Sequence, residues 1–166
     1  MELSIKSLIL SGSVVLTGLS AGFFYAWSVS VIPGTKKIED PAYLETMQNI
    51  NRAILNPAFF LIFFGSILFL SISSILEFHT NKVTFWLLVT SSIFYLIGTV
   101  GVTGLGNVPL NDQLAALELV NVNADKMAEF RKFYESNWNR LHTIRTAFAV
   151  LSFLLSVVAV FKYSTQ

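Results

Sequence analysis

Four stretches of this chain are apolar for long enough to cross a bilayer, and that constrains the fold more than any other feature. A hydrocarbon core takes about 20 helical residues, and the runs 8–32, 58–76, 83–105 and 146–161 are of that order. The fourth is short by itself, but its helical pattern begins well upstream. In lipid a segment must satisfy its own backbone polar groups, which leaves helices for runs of this kind. Composition agrees: 54% of the 166 residues are hydrophobic, 13% are charged and the mean hydropathy is +0.64. A soluble domain of this length exposes more charge. The expected fold is all-α: an integral membrane four-helix bundle, a single domain over 1–166. A helical cap on one side is formed by the two long loops, about 34–56 and 107–140.

Lys6 followed by apolar residues has the outline of a signal peptide. The run that follows exceeds an h-region of about 7–15 residues, so it reads as a retained span.

The connections are unequal. Glu77 to Lys82 is a short turn, whereas the other two links are long. Asp40-Pro41 predicts a helix start, with Asp40 as N-cap and Pro41 at the first helical position, where its missing N–H costs nothing. Leu44, Met47, Ile50 and Ile54 then recur at helical spacing. This predicts a helix that continues into the second span and bends near Pro57. The second link predicts a short helix over 110–119 and a break at Asn121-Val122-Asn123. From Ala124 no Gly or Pro interrupts the chain, so the last helix is expected to be one rod whose first turns, about five of them, stand outside the membrane.

Gly18 and Gly22 have the small-xxx-small spacing that lets transmembrane helices approach closely, and Gly98, Gly101 and Gly104 repeat the theme. Such faces serve packing within the bundle, room for a ligand between helices, or a homodimer. Lys6, Lys82 and Lys162 lie on the short-turn side, against Lys36, Lys37, Arg52, Lys126, Arg131, Lys132 and Arg140 on the cap side. The positive-inside rule places the cap in the cytoplasm.

Alternation of four spans brings the out-of-place polar residues to one end. Tyr25 and Trp27 close the first span, Asn51, Arg52 and Asn56 precede the second, Thr103, Asn107 and Asn111 follow the third, and Trp138, His142 and Arg145 lead into the fourth. Trp138, His142, Arg145 and Ala149 share one helix face by their spacing. Each has a plain structural reading: Trp138 as an interfacial anchor, Arg145 snorkelling to headgroups, Asn107 and Asn111 capping the turn around Pro109. An arginine near the bilayer centre costs about 2.5–3.5 kcal/mol even on the lenient insertion scale, which makes function the default for Arg145. Guanidinium and amides beside the aromatic walls of Phe24, Tyr25 and Trp27 suit a planar, weakly acidic, hydrophobic molecule that becomes an anion. Its partners are then the lipid bilayer and a hydrophobic small-molecule ligand. A net charge of +1 without a basic stripe speaks against nucleic acid.

The chain has no cysteine, and no carboxylate lies within any of the four runs. That removes thiolate chemistry and a di-iron bundle of the Glu-x-x-His type. The second histidine, His79, lies at the opposite end, so no metal site is expected. A haem held by His142 alone stays open.

Four motifs, Gly22-Phe-Phe-Tyr25-Ala-Trp27, Asn51-Arg-Ala-Ile-Leu-Asn56-Pro57, Val102-Thr-Gly-Leu-Gly-Asn107-Val-Pro-Leu-Asn111 and Trp138-Asn-Arg-Leu-His142-Thr-Ile-Arg145-Thr, resemble the anthrone oxygenase-like family of small four-helix membrane proteins. The resemblance covers nearly the whole chain. It implies oxidation of a phenolic, aromatic or quinol-like substrate by molecular oxygen without metal or flavin. His142 and Arg145 would be the catalytic pair, and Tyr25, Trp27, Asn51, Arg52, Asn56, Thr103, Asn107, Asn111 and Trp138 would hold substrate. The residues alone also fit a non-enzymatic carrier for a quinone, lipid or haem.

Overall fold

The structure is a computed structural model that describes residues 4–164. Its five helices are α1 (Ile5–Thr35), α2 (Asp40–Ala53), α3 (Pro57–Glu77), α4 (Lys82–Ala115) and α5 (Ala124–Ser164). Among the described residues there is no strand. Helices α1, α3, α4 and α5 are each long and apolar enough to span a membrane. The protein is a multi-pass integral membrane helical bundle, with α2 and the outer turns of α4 and α5 forming the cap.

Local chemistry sets the helix ends. Ser4 and Ser7 form a reciprocal capping box at α1. Asn81 accepts the amides of Val83 and Thr84, both at 3.0 Å, and so turns the short link into α4. The expected bent helix through Pro57 is instead two helices. α2 stops at Ala53, and Asn56 is extended (φ −131°, ψ 158°), accepting the Phe59 amide at 3.0 Å. An asparagine cap directly before a proline starts a helix better than it continues one. At α2 the residue outside the helix is Glu39, not Asp40. The Asp40 carboxylate instead meets Arg131 at 2.7 Å.

Two prolines lie inside continuous helices. The helix of the third span runs through Pro109 to Ala115, and that of the first runs through Pro33 to Thr35. In each case the residue before the proline donates five residues back, Ile32 to the Trp27 carbonyl and Val108 to the Thr103 carbonyl. Proline cannot donate to the carbonyl four residues back and its ring crowds that oxygen. The wider π turns at Trp27–Val31 and Thr103–Asn107 accommodate the misfit and keep the helix continuous.

The spans pack through small residues. A side-chain carbon added at Gly18 would lie 3.0 Å from the Phe153 ring of α5, so this face serves the bundle itself. At Gly98 the same carbon would overlap Cβ and Cγ of Phe148, which cannot swing aside as a chain end could. Gly98→Ala is therefore expected to destabilise the bundle by about 1–3 kcal/mol, the usual cost of overpacking. Thermal unfolding in detergent would show it, and Phe148→Ala added to Gly98→Ala should recover part of the loss. Hydroxyls lace the interior, Ser20 to Tyr95 at 2.7 Å and Ser91 to Ser152 at 2.9 Å.

The cap has its own core of Tyr43, Leu44, Met47, Leu110, Leu114, Tyr134 and Trp138. Burial pushes the Tyr43 hydroxyl above its ordinary pKa, so it stays a protonated part of that core. Arg131 of α5 binds Asp40 at 2.7 Å and donates to the carbonyls of Ile38 (2.6 Å) and Thr35 (3.2 Å). One guanidinium thereby joins the end of α1, the start of α2 and α5.

Candidate functional site

Beneath the cap lies a chamber of about 340 Å³ to which all five helices contribute. Phe24, Phe59 and Phe63 form an apolar wall and floor, Phe59 stacking on Phe63 at 5.1 Å. Trp138, His142 and Arg145 of α5 form a further wall that adjoins Phe24. Their spacing puts them on one face, and nothing in the α5 sequence interrupts that face.

The arrangement along α5 is specific. The Trp138 and His142 rings are stacked, 5.1 Å between centroids and 8° from parallel. The Arg145 guanidinium lies 4.9 Å from the Trp138 ring and 4.7 Å from the Phe24 ring, two cation–π contacts in a dehydrated place. It is 7% exposed. Its donors reach His142 Nδ1 at 3.2 and 3.0 Å and Thr103 Oγ1 at 3.3 Å. All these partners are neutral groups, and no ion pair to Arg145 exists among the described residues. A buried guanidinium without a carboxylate is an electrostatic demand for an anion.

These contacts fix the His142 tautomer. A guanidinium has only donors, so Nδ1 must present its lone pair and Nε2 carries the hydrogen. Nε2 faces the Phe24 carbonyl at 3.1 Å, Ser28 Oγ at 3.0 Å and Thr146 Oγ1 at 3.3 Å. Both ring nitrogens are thus engaged, and a haem iron would have to displace Arg145 or the Phe24 carbonyl to reach one.

A second polar set hangs from the cap. Asn111 Oδ1 accepts from Trp138 Nε1 and from the Tyr134 hydroxyl, each at 2.9 Å. Tyr134 in turn accepts from Asn51 Nδ2 at 3.1 Å. This relay joins α2, α4 and α5 over the chamber and orients the Trp138 indole. Arg52 is exposed at the rim, donating to Asn49 at 2.7 Å. A second cavity of about 650 Å³ lies in the cap on the other side of Gln48, Arg52 and Ala115, which line both.

Of the residues expected from sequence, Trp27, Asn51, Arg52, Thr103, Asn111, Trp138, His142 and Arg145 line the chamber. Three do not. Tyr25 is 58% exposed on the outer face of α1, because one residue of helix turns the side chain about 100° away from buried Phe24. Asn56 is spent on capping α3. Asn107 is fully buried behind α5, its amide donating to the Trp138 carbonyl at 3.2 Å while its Oδ1 has no partner. It fastens α4 to α5 and does not touch the chamber. Sequence reasoning passed over Tyr134 and Ser28. Tyr134 lies four residues before Trp138 and simply extends the same stripe, so spacing could have found it. Ser28 lies four residues after Phe24, to whose carbonyl its hydroxyl donates at 3.1 Å, so spacing from that ring could have found it too.

No group of three or more histidine, cysteine or acidic residues that could hold a metal ion occurs among the described residues. Residues 57–155 match the family model described as anthrone oxygenase. No curated protein and no solved structure matches the chain. The matched region contains the whole of α3 and α4 and the α5 stripe from Trp138 to Ala149.

Proposed function

Because the chain belongs to the anthrone oxygenase family and is an oxygenase-like integral membrane protein, we propose that it oxidises a planar phenolic or quinol-like substrate with molecular oxygen. The observation that carries this reading is Arg145: a buried cation facing an aromatic chamber, held only by neutral groups. Such a group is pre-arranged for a phenolate or enolate and needs no reorganisation when the charge develops.

The chemistry follows from the contacts. An activated CH₂ between two aryl rings loses a proton, and the negative charge spreads onto the ring oxygen. That oxygen takes Arg145 donors away from His142 Nδ1, and the freed lone pair accepts the proton. Oxygen adds to the electron-rich carbon, His142 returns its proton to give a hydroperoxide, and loss of water leaves a carbonyl. One O₂ is consumed and one water released for each CH₂ oxidised to C=O. Trp27 and Trp138 stack on the rings, and Thr103 steadies the guanidinium. The scheme calls for no metal or flavin.

The test is oxygen uptake by the purified protein in detergent with an anthrone as substrate, together with mass spectrometry of the product. Oxygen consumption that yields the quinone supports the reading. An amphiphile that copurifies and returns unchanged, with no oxygen consumed, identifies a carrier instead.

The excess of cationic residues on the cap side supports a cytoplasmic cap. Since the chain has no native cysteine, Val120→Cys at the 98% exposed tip of the cap gives a single label site. It should react with a membrane-impermeant maleimide only after the cells are opened; labelling of intact cells would reverse the orientation.

A further inference from the structure

The chamber has two sides that are open to something, and they differ in kind. Towards the cap cavity the partition is polar and held: Gln48 donates to the carbonyls of Leu114 at 2.8 Å and Leu117 at 3.0 Å, and Arg52 is tied to Asn49. Towards the bilayer, between α3 and the outer part of α4, nothing is tied. The Phe63–Tyr95 ring contact at 6.3 Å closes the lower end of that interval, and the first part of α4 packs on α3 beyond it. Above it the chamber-lining residues Phe60, Phe64, Gly104 and Val108 are themselves exposed, so the chamber reaches the lipid-facing surface there. A side-chain carbon added at Gly104 would meet nothing within 4 Å. On its other flank α3 packs along α1, where Phe23 bears on Phe59 at 5.9 Å.

We propose that the ligand reaches Arg145 from within the bilayer, through a portal between α3 and α4 with Gly104 at its edge. It follows that the ligand is a membrane-dissolved amphiphile, its weakly acidic end at Arg145 and its apolar remainder lying between Phe60, Phe64 and Gly104 towards the lipid. This rests on the reading of Arg145 as an anion site, but the route can be tested without any chemistry taking place. A π turn at Thr103–Asn107 supplies the geometry, since it carries both Thr103, which binds the guanidinium, and Gly104, which leaves the gap.

The experiment uses protein reconstituted in phosphatidylcholine vesicles with Trp86→Phe, so that Trp27 and Trp138, both on the chamber wall, are the remaining tryptophans. The probe is 4-dodecyl-2,6-dibromophenol dissolved in the bilayer, whose bromines quench indole fluorescence. Its water-held counterpart is the 4-sulfonate of the same phenol. Fast quenching by the dodecyl probe and none by the sulfonate is expected. Gly104→Phe should slow the dodecyl probe at least tenfold, and Phe60→Ala, which widens the gap, should speed it in protein that still unfolds as cooperatively as the parent, which excludes exposure of the indoles by misfolding. Equal rates in all three proteins, quenching by the sulfonate at the rate of the dodecyl probe, or no quenching at all overturns the portal. Should Arg145→Ala be quenched as strongly as the parent while Gly104→Phe still slows it, the portal stands and the anion reading falls.

Discussion

Arg145→Ala is expected to lower oxygen uptake with an anthrone substrate by about 10²–10³-fold, the loss usual for removing one principal oxyanion donor. The size follows from isolation. Among the described residues no other cation lines the chamber except Arg52 at its exposed rim, so none of them replaces the guanidinium inside. Arg145→Lys is expected to recover little. An ammonium is a point charge and cannot reach His142 Nδ1 with two donors and Thr103 with a third as the guanidinium does. Folding is expected to survive the alanine change, because a buried cation without a carboxylate partner contributes little to stability once its desolvation is counted. Turnover within twofold of the parent for Arg145→Ala, in protein that still unfolds cooperatively, would remove Arg145 from the mechanism.

His142 affects both activity and stability. His142→Ala deletes a fully buried ring stacked on Trp138 and takes away the acceptor of two Arg145 contacts. A loss of about 2–4 kcal/mol in stability is expected from the cavity and the stranded donors together. Turnover should fall by about 10²–10⁴-fold, the usual contribution of a positioned base. His142→Asn separates the two roles. Its side-chain oxygen can still accept from Arg145 and its amide can donate towards the Phe24 carbonyl, but it cannot take a proton near neutral pH. The asparagine protein is expected to fold, to bind the phenol and to turn over poorly. Full turnover in His142→Asn would make His142 a holder of Arg145 and nothing more.

How much of this was readable beforehand depends on how local each property is. The spans follow from hydropathy, which each segment carries in itself. The α5 stripe follows from spacing in a helix that no Gly or Pro disturbs. What could not be read were the register changes. Pro33 and Pro109 look like stops, and only the five-residue hydrogen bonds of Ile32 and Val108 show that the helix widens and goes on. That widening moves everything beyond it by a fraction of a turn. Asn56 and Asn107 were misplaced for a different reason. An asparagine beside a proline can cap a helix, bridge two helices or face a ligand, and its neighbours in sequence do not say which.

The unbroken course of α5 also has a meaning as a length. At about 1.5 Å per residue, the path from Arg145 to Lys162 is about 26 Å, close to the thickness of a hydrocarbon layer, which is about 30 Å. With one cationic side chain at each end, the helix acts as a gauge of depth. With Lys162 at one edge of that layer, Arg145 would lie about 4 Å inside the other. A ligand engaged with Arg145 would then have its acidic end near that edge and not at the middle of the bilayer.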